Sequence, residues 1–192
     1  MLFDLGRMHS PQILTWIIMV MAYGFLEIAI GRRNRGGAPR KKVRDATFYT
    51  VTVPSMVALY GAVLEATLKN HTIPRPWFII GGLVLLGGIV LRISAHLQLG
   101  SAFSTKVERS EGQRLYTKGI YEFIRHPLYS ATLLQVLGTA VMLHSIFAFV
   151  LFPFCVAGIM VRIRKEERFM TAEFLEYNDY MKRTRQLVPW VY

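Results

Sequence analysis

Apolar residues run almost unbroken over Ile13 to Ile30, Phe48 to Leu68, Trp77 to Leu99, Leu128 to His144 and Ile146 to Val161, and the charged residues are gathered between these runs. A hydrocarbon core about 30 Å thick is crossed by roughly 18 to 20 apolar residues rising 1.5 Å each. The pattern therefore predicts an all-α integral membrane protein with five transmembrane helices, about 13–30, 48–68, 77–99, 128–144 and 146–161, in a single domain over 1–192. The first run is broken only by Thr15, Tyr23, Gly24 and Glu27, and its positive charge follows it, unlike that of a cleaved signal peptide. Pro54 inside the second run predicts a kink that neighbouring helices accommodate. The third run opens on Trp77 and carries Gly81-Gly82 and Gly87-Gly88, small residues that let helix backbones approach closely in lipid. Almost nothing separates the fourth run from the fifth, which predicts a tight helical hairpin.

Composition agrees, since 53% hydrophobic residues in 192 is too apolar for an ordinary soluble domain. The net charge of +11 would point to nucleic acid in a soluble chain. Here the basic residues fill short segments between apolar runs, as the positive-inside rule places them, which argues against nucleic-acid binding. Lys and Arg number seven in Gly31 to Arg44, five in Gly100 to Pro127 and seven in Arg162 to Tyr192, against Arg7, Lys69 and Arg75 on the other side. That asymmetry predicts the N-terminus outside and the C-terminus inside, with 100–127 and 162–192 as cytoplasmic segments. The charged stretch from Arg162 is expected to continue as one helix through Met181. A single cysteine, Cys155, rules out an intrachain disulfide and reads as a small buried hydrophobe.

Two polar stretches carry the candidate chemistry. Lys118 to Tyr129 holds Lys118, Gly119, Tyr121, Arg125, His126, Pro127 and Tyr129 within a dozen residues at a membrane boundary. Pro127 suits the first position of a helix, where its missing amide proton is not needed. The free amides of that helix end, with Lys118, Arg125 and His126 beside them, form either a receptor for a carboxylate or phosphate or a basic interface among lipid headgroups. Arg162 and Glu166 stand one turn apart where the last apolar run gives way to charge. They are either a surface ion pair or a pair facing a cavity, Arg162 gripping an acidic group bidentately and Glu166 orienting it or a cofactor. Glu167 could take the place of Glu166, because sequence does not set the rotation of the helix. Arg92 and His96 share a face of the third run; snorkelling and a functional role both remain open for Arg92, and His96 reads as structural. No Walker loop, Gly-x-Gly-x-x-Gly after a strand, metal-ligand set or nucleophile motif is present, which argues against covalent and metal catalysis.

The residues Leu91-Arg92, Leu99-Gly100, Phe103-Ser104, Leu115-Tyr-Thr-Lys-Gly-Ile-Tyr121, Ile124-Arg-His-Pro-Leu-Tyr129, Arg162, Glu166-Glu167, Tyr177, Tyr180 and Arg185-Gln-Leu-Val-Pro189 resemble the isoprenylcysteine carboxyl methyltransferase family in its compact prokaryotic form. The likeness covers roughly the C-terminal half, while the first three runs agree only in hydropathy. It departs from the family at Ala131, where a glycine is usual, and at Phe174-Leu-Glu-Tyr177, one residue shorter than the usual Phe-Gly-x-x-Tyr. The resemblance implies an inner-membrane enzyme that takes S-adenosylmethionine from the cytosol, methylates a lipophilic or lipidated acceptor reached from the bilayer, and releases S-adenosylhomocysteine. By the same resemblance Leu115, Lys118, Gly119, Tyr121, Arg125, His126, Pro127, Tyr129 and Glu167 line the cofactor pocket, and Arg162 and Glu166 sit on the acceptor side as catalytic residues. Membrane lipids are implied as surroundings, and no obligate protein partner is evident. Related Arg-His-Pro patterns also resemble NADPH-dependent membrane sterol reductases, usually longer chains. A phospholipid or amine N-methyltransferase and a non-enzymatic membrane interaction protein complete the alternatives.

Overall fold

The computed structural model describes residues 11–33, 46–69, 73–99 and 115–188. Among them are six α-helices: α1 (Pro11–Arg33), α2 (Thr47–Lys69), α3 (Arg75–Leu99), α4 (Pro127–Met142), α5 (Ile146–Glu173) and α6 (Tyr177–Arg183), with a 3-10 turn at Gly119–Glu122 before α4. The described part of the fold is thus all-α. By length and composition α1, α2, α3 and α5 can each cross a membrane, whereas α4, at 16 residues, is shorter than that length. Large apolar side chains point outward along them, including Met21, Phe25, Leu83 and Phe154, as lipid-facing surfaces require. The basic segment 34–45 and the whole 100–114 segment, with Phe103 and Ser104, fall outside the described residues.

Small residues let these helices come together. α3 packs on α4 through Gly81, Leu85 and Gly88, one face at helical spacing, against Ala131, Gly138 and Met142. A Cβ at Gly81 would run into the backbone of Met142, and one at Gly138 into the backbone of Leu85, so neither position tolerates a larger residue without moving a helix. Only one glycine of each pair serves this contact: a Cβ at Gly87 would meet nothing within 4 Å. The interior is closed by Ala58, Ala62, Val136 and Cys155, all fully buried.

Leu143, His144 and Ser145 join α4 to α5 in the expected tight hairpin. Ser145 caps α5 by accepting from the Ala148 amide at 3.1 Å. Its hydroxyl in turn donates to Glu65 of α2 at 2.5 Å, and the same carboxylate accepts from the Phe147 amide. α1 is pinned across the bundle where Trp16 Nε1 donates to Thr139 Oγ1 at 3.0 Å.

Arg92 does not snorkel. Its guanidinium donates to Glu27 of α1 at 2.8 and 2.9 Å and to Thr132 of α4 at 2.9 Å, while Tyr23 holds the other Glu27 oxygen. His96 lies 3.5 Å from the same carboxylate. A charge held inside the bundle by a carboxylate and a hydroxyl avoids the cost of an unpaired one, and it ties α1, α3 and α4 together.

The charged end of α5 departs from expectation. The helix stops at Glu173 instead of running to Met181; Phe174 turns extended, and α6 folds back. The cause is burial: Phe174, Tyr177 and Tyr180 form a cluster with Leu115, Met170 and Met181, which a straight helix would leave in solvent. After α6 the chain returns to the start of α4, pairing Ile124 with Arg185 in a parallel bridge.

Candidate active site

Pro127 occupies the first turn of α4 and is fully buried, so His126 becomes the residue that enters the helix. The returning C-terminal segment takes the amides there: Arg125 donates to the Arg185 carbonyl at 2.8 Å and His126 to that of Gln186 at 3.0 Å. The Tyr129 and Ser130 amides are bonded to the His126 carbonyl. These four donors are therefore committed within the fold and are not free to receive an anion.

α5 brings up its charged turn opposite. Glu167 accepts from Arg125 Nε at 2.8 Å and from Gln186 Nε2 at 2.8 Å, and lies 3.2 Å from His126 Nε2. Arg125 also donates through Nη1 to the carbonyls of Met181 at 3.1 Å and Thr184 at 2.6 Å, clasping the returning segment. Glu166 accepts from the Tyr129 hydroxyl at 2.6 Å and from Arg162 Nε at 2.8 Å, with Arg162 Nε also 3.1 Å from the Tyr129 oxygen. The two glutamates, about 100° apart on the helix, thus flank the first turn of α4, each with its own set of partners. His126 bridges them, its Nδ1 3.6 Å from Glu166, and its ring stacks on Tyr129 with centroids 5.7 Å apart.

Arg162 is only 2% exposed. Its Nη1 donates to Thr47 Oγ1, at the start of α2, at 2.9 Å. The Arg162–Glu166 pair is accordingly no surface ion pair, since its cation is enclosed by three helices. A shallow groove of about 420 Å³ lined by Arg164, Glu167, Arg168, Thr171 and Met181 touches the cluster at Glu167.

Of the residues marked in the sequence, Arg125, His126, Tyr129, Arg162, Glu166 and Glu167 converge, with Pro127 fixing the turn beneath them. The others do not join that network. Leu115 packs in the aromatic cluster under α6, and Lys118 is exposed. Gly119 takes φ +63°, a conformation natural to glycine, and lets the Ile120 amide reach Gln98 Oε1 at 2.9 Å. Tyr121 is buried against α3, and Tyr180 donates to its carbonyl at 2.5 Å. Burial pushes the phenol pKa values of Tyr121, Tyr177 and Tyr180 up, so all three stay neutral near pH 7. Thr47, Thr184 and Gln186 were missed individually. Gln186 lay in the Arg185–Pro189 stretch, whose end falls outside the described residues; Thr47 gave no signal.

The model of the isoprenylcysteine carboxyl methyltransferase (ICMT) family matches residues 80–172. The chain is 33% identical over 130 residues to protein-S-isoprenylcysteine O-methyltransferase B of Arabidopsis thaliana, covering 65% of this chain and 64% of that protein. Against the Homo sapiens protein-S-isoprenylcysteine O-methyltransferase it is 29% identical over 162 residues, covering 80% and 57%. Among solved structures it resembles the eukaryotic intramembrane Ras methyltransferase ICMT, with TM-score 0.55, 28% identity, and 78% of this chain and 55% of that chain covered. The chain thus spans less than two thirds of the length of these relatives.

Proposed function

The chain belongs to the isoprenylcysteine carboxyl methyltransferase family, and from that premise we propose that it transfers a methyl group from S-adenosylmethionine to the carboxylate of an S-isoprenylcysteine-like acceptor. The observation that carries the proposal is the joined pair of clusters, Arg125–His126–Glu167 and Tyr129–Glu166–Arg162, at the meeting of α4 and α5.

The donor set fits the cofactor class. Glu166 and Glu167 offer carboxylates to a cationic ligand, the stacked His126 and Tyr129 rings offer an aromatic wall, and the buried Gln186 Oε1 is an acceptor without a hydrogen-bond partner beside Glu167. S-adenosylmethionine, when bound, supplies a methyl carbon on a sulfonium and leaves as S-adenosylhomocysteine. Arg125, His126, Tyr129 and Glu167 form the cofactor side in this proposal, with Leu115, Lys118, Gly119 and Tyr121 framing it and Pro127 holding the turn. Arg162 binds the acceptor carboxylate and Glu166 orients that guanidinium. A carboxylate is already a nucleophile at neutral pH, so this chemistry needs no strong base; alignment and exclusion of water carry the rate. The near-complete burial of Arg162 supports such a dry site.

The proposed topology has five crossings, α4 and α5 forming the last hairpin, with the charged end of α5 in the cytosol and the acceptor entering from the bilayer. The test is calorimetric titration of the detergent-purified protein with S-adenosylhomocysteine and, separately, with NADPH, together with turnover of N-acetyl-S-farnesylcysteine. Saturable S-adenosylhomocysteine binding that is lost in His126→Ala, with methylation by the wild type, is expected. Binding of NADPH alone, or unchanged turnover in both His126→Ala and Glu166→Ala, overturns the reading.

A further inference from the structure

Toward the charged end of α5, α2 and α5 meet at two points one turn apart on each helix. At the first, Thr50 Oγ1 donates to the Gly158 carbonyl at 3.1 Å, and a Cβ on Gly158 would collide with the Thr50 carbonyl. At the second, one turn further along α5 and one turn back along α2, Thr47 Oγ1 accepts from Arg162 Nη1 at 2.9 Å. The close approach at Gly158 thus fixes the register that brings Thr47 to Arg162.

A guanidinium is a rigid planar fork. Glu166 and Tyr129 hold its Nε edge, and Thr47 holds Nη1 from another helix. Anchored at both places, the plane cannot swing about the side-chain axis. A neutral hydroxyl does this without adding negative charge, so the cation keeps its attraction for a carboxylate. We infer that Thr47 is a positioning residue that orients Arg162 for recognition of the acceptor carboxylate, an inference that rests on the role given to Arg162 above.

The test compares wild type, Thr47→Val and Thr47→Ser in methylation of N-acetyl-S-farnesylcysteine, with S-adenosylhomocysteine affinity measured in parallel. Thr47→Val is expected to raise acceptor KM about tenfold, the scale of one hydrogen bond to a charged group, with S-adenosylhomocysteine affinity unchanged; Thr47→Ser restores the wild-type KM. An unchanged KM in Thr47→Val, or an equal loss of S-adenosylhomocysteine affinity, overturns the inference. If the wild type methylates no isoprenylcysteine, the functional reading and the acceptor role of Thr47 fall together. The Thr47 to Arg162 hold is then judged separately by a thermal double-mutant cycle of Thr47→Val and Arg162→Lys, where additive effects refute it and coupling supports it.

Discussion

Glu167→Ala is the most informative single perturbation, because that carboxylate joins two separate stretches of chain to α5. It accepts from Arg125 before α4 and from Gln186 after α6, and it lies against His126. The side chains of Arg125 and Glu167 are 9% and 14% exposed, so the pair is largely desolvated. Removing one member of a buried pair costs about 3 to 5 kcal/mol. Arg125 keeps the carbonyls of Met181 and Thr184, which lowers the expected loss to about 2 to 3 kcal/mol. For a chain of this size that corresponds to a melting shift of about 4 to 12 °C. Glu167→Gln retains an acceptor for Arg125 Nε and is expected to lose less than half as much. The assay is thermal unfolding in detergent, paired with limited proteolysis of the segment after Phe174, which should become more cleavable in Glu167→Ala. A Glu167→Ala protein that melts within about 1 °C of wild type and resists protease equally would refute the idea that this carboxylate clasps the returning segment.

Two further outcomes follow from the helix contacts. Gly138→Leu drives a side chain into the backbone of α3 at Leu85 and should lower stability by at least about 1 to 3 kcal/mol, whereas Gly87→Leu, on an exposed face, should melt like wild type; equal melting of the two would show that α3 and α4 do not pack through these glycines. Glu27→Gln leaves the Arg92 guanidinium without its carboxylate and should destabilise the bundle, and adding Arg92→Met should restore most of the loss; a silent Glu27→Gln would show that Arg92 finds its compensation elsewhere.

Hydropathy alone was enough to place the apolar runs, because crossing a hydrocarbon layer requires length and apolarity, and both are properties of a linear stretch. The His126-Pro127 helix start and the Leu143–Ser145 hairpin were legible for the same reason, since each depends on residues adjacent in sequence. So was the one-turn spacing of Arg162 and Glu166. Anything that depends on two distant stretches meeting was not legible. Sequence left Glu166 and Glu167 interchangeable, because helix rotation is set by what packs against the helix; in the fold each faces a different partner. It could not place Glu27 beside Arg92, 65 positions away, nor Thr47 beside Arg162, 115 positions away. The break at Phe174 escaped it too, since a charged amphipathic pattern reads as continuous helix until three aromatic side chains find an interior to fill. Local chemistry and the demands of the bilayer are written along the chain; the pairing of charges in the site is decided by burial, which exists only once the helices have packed.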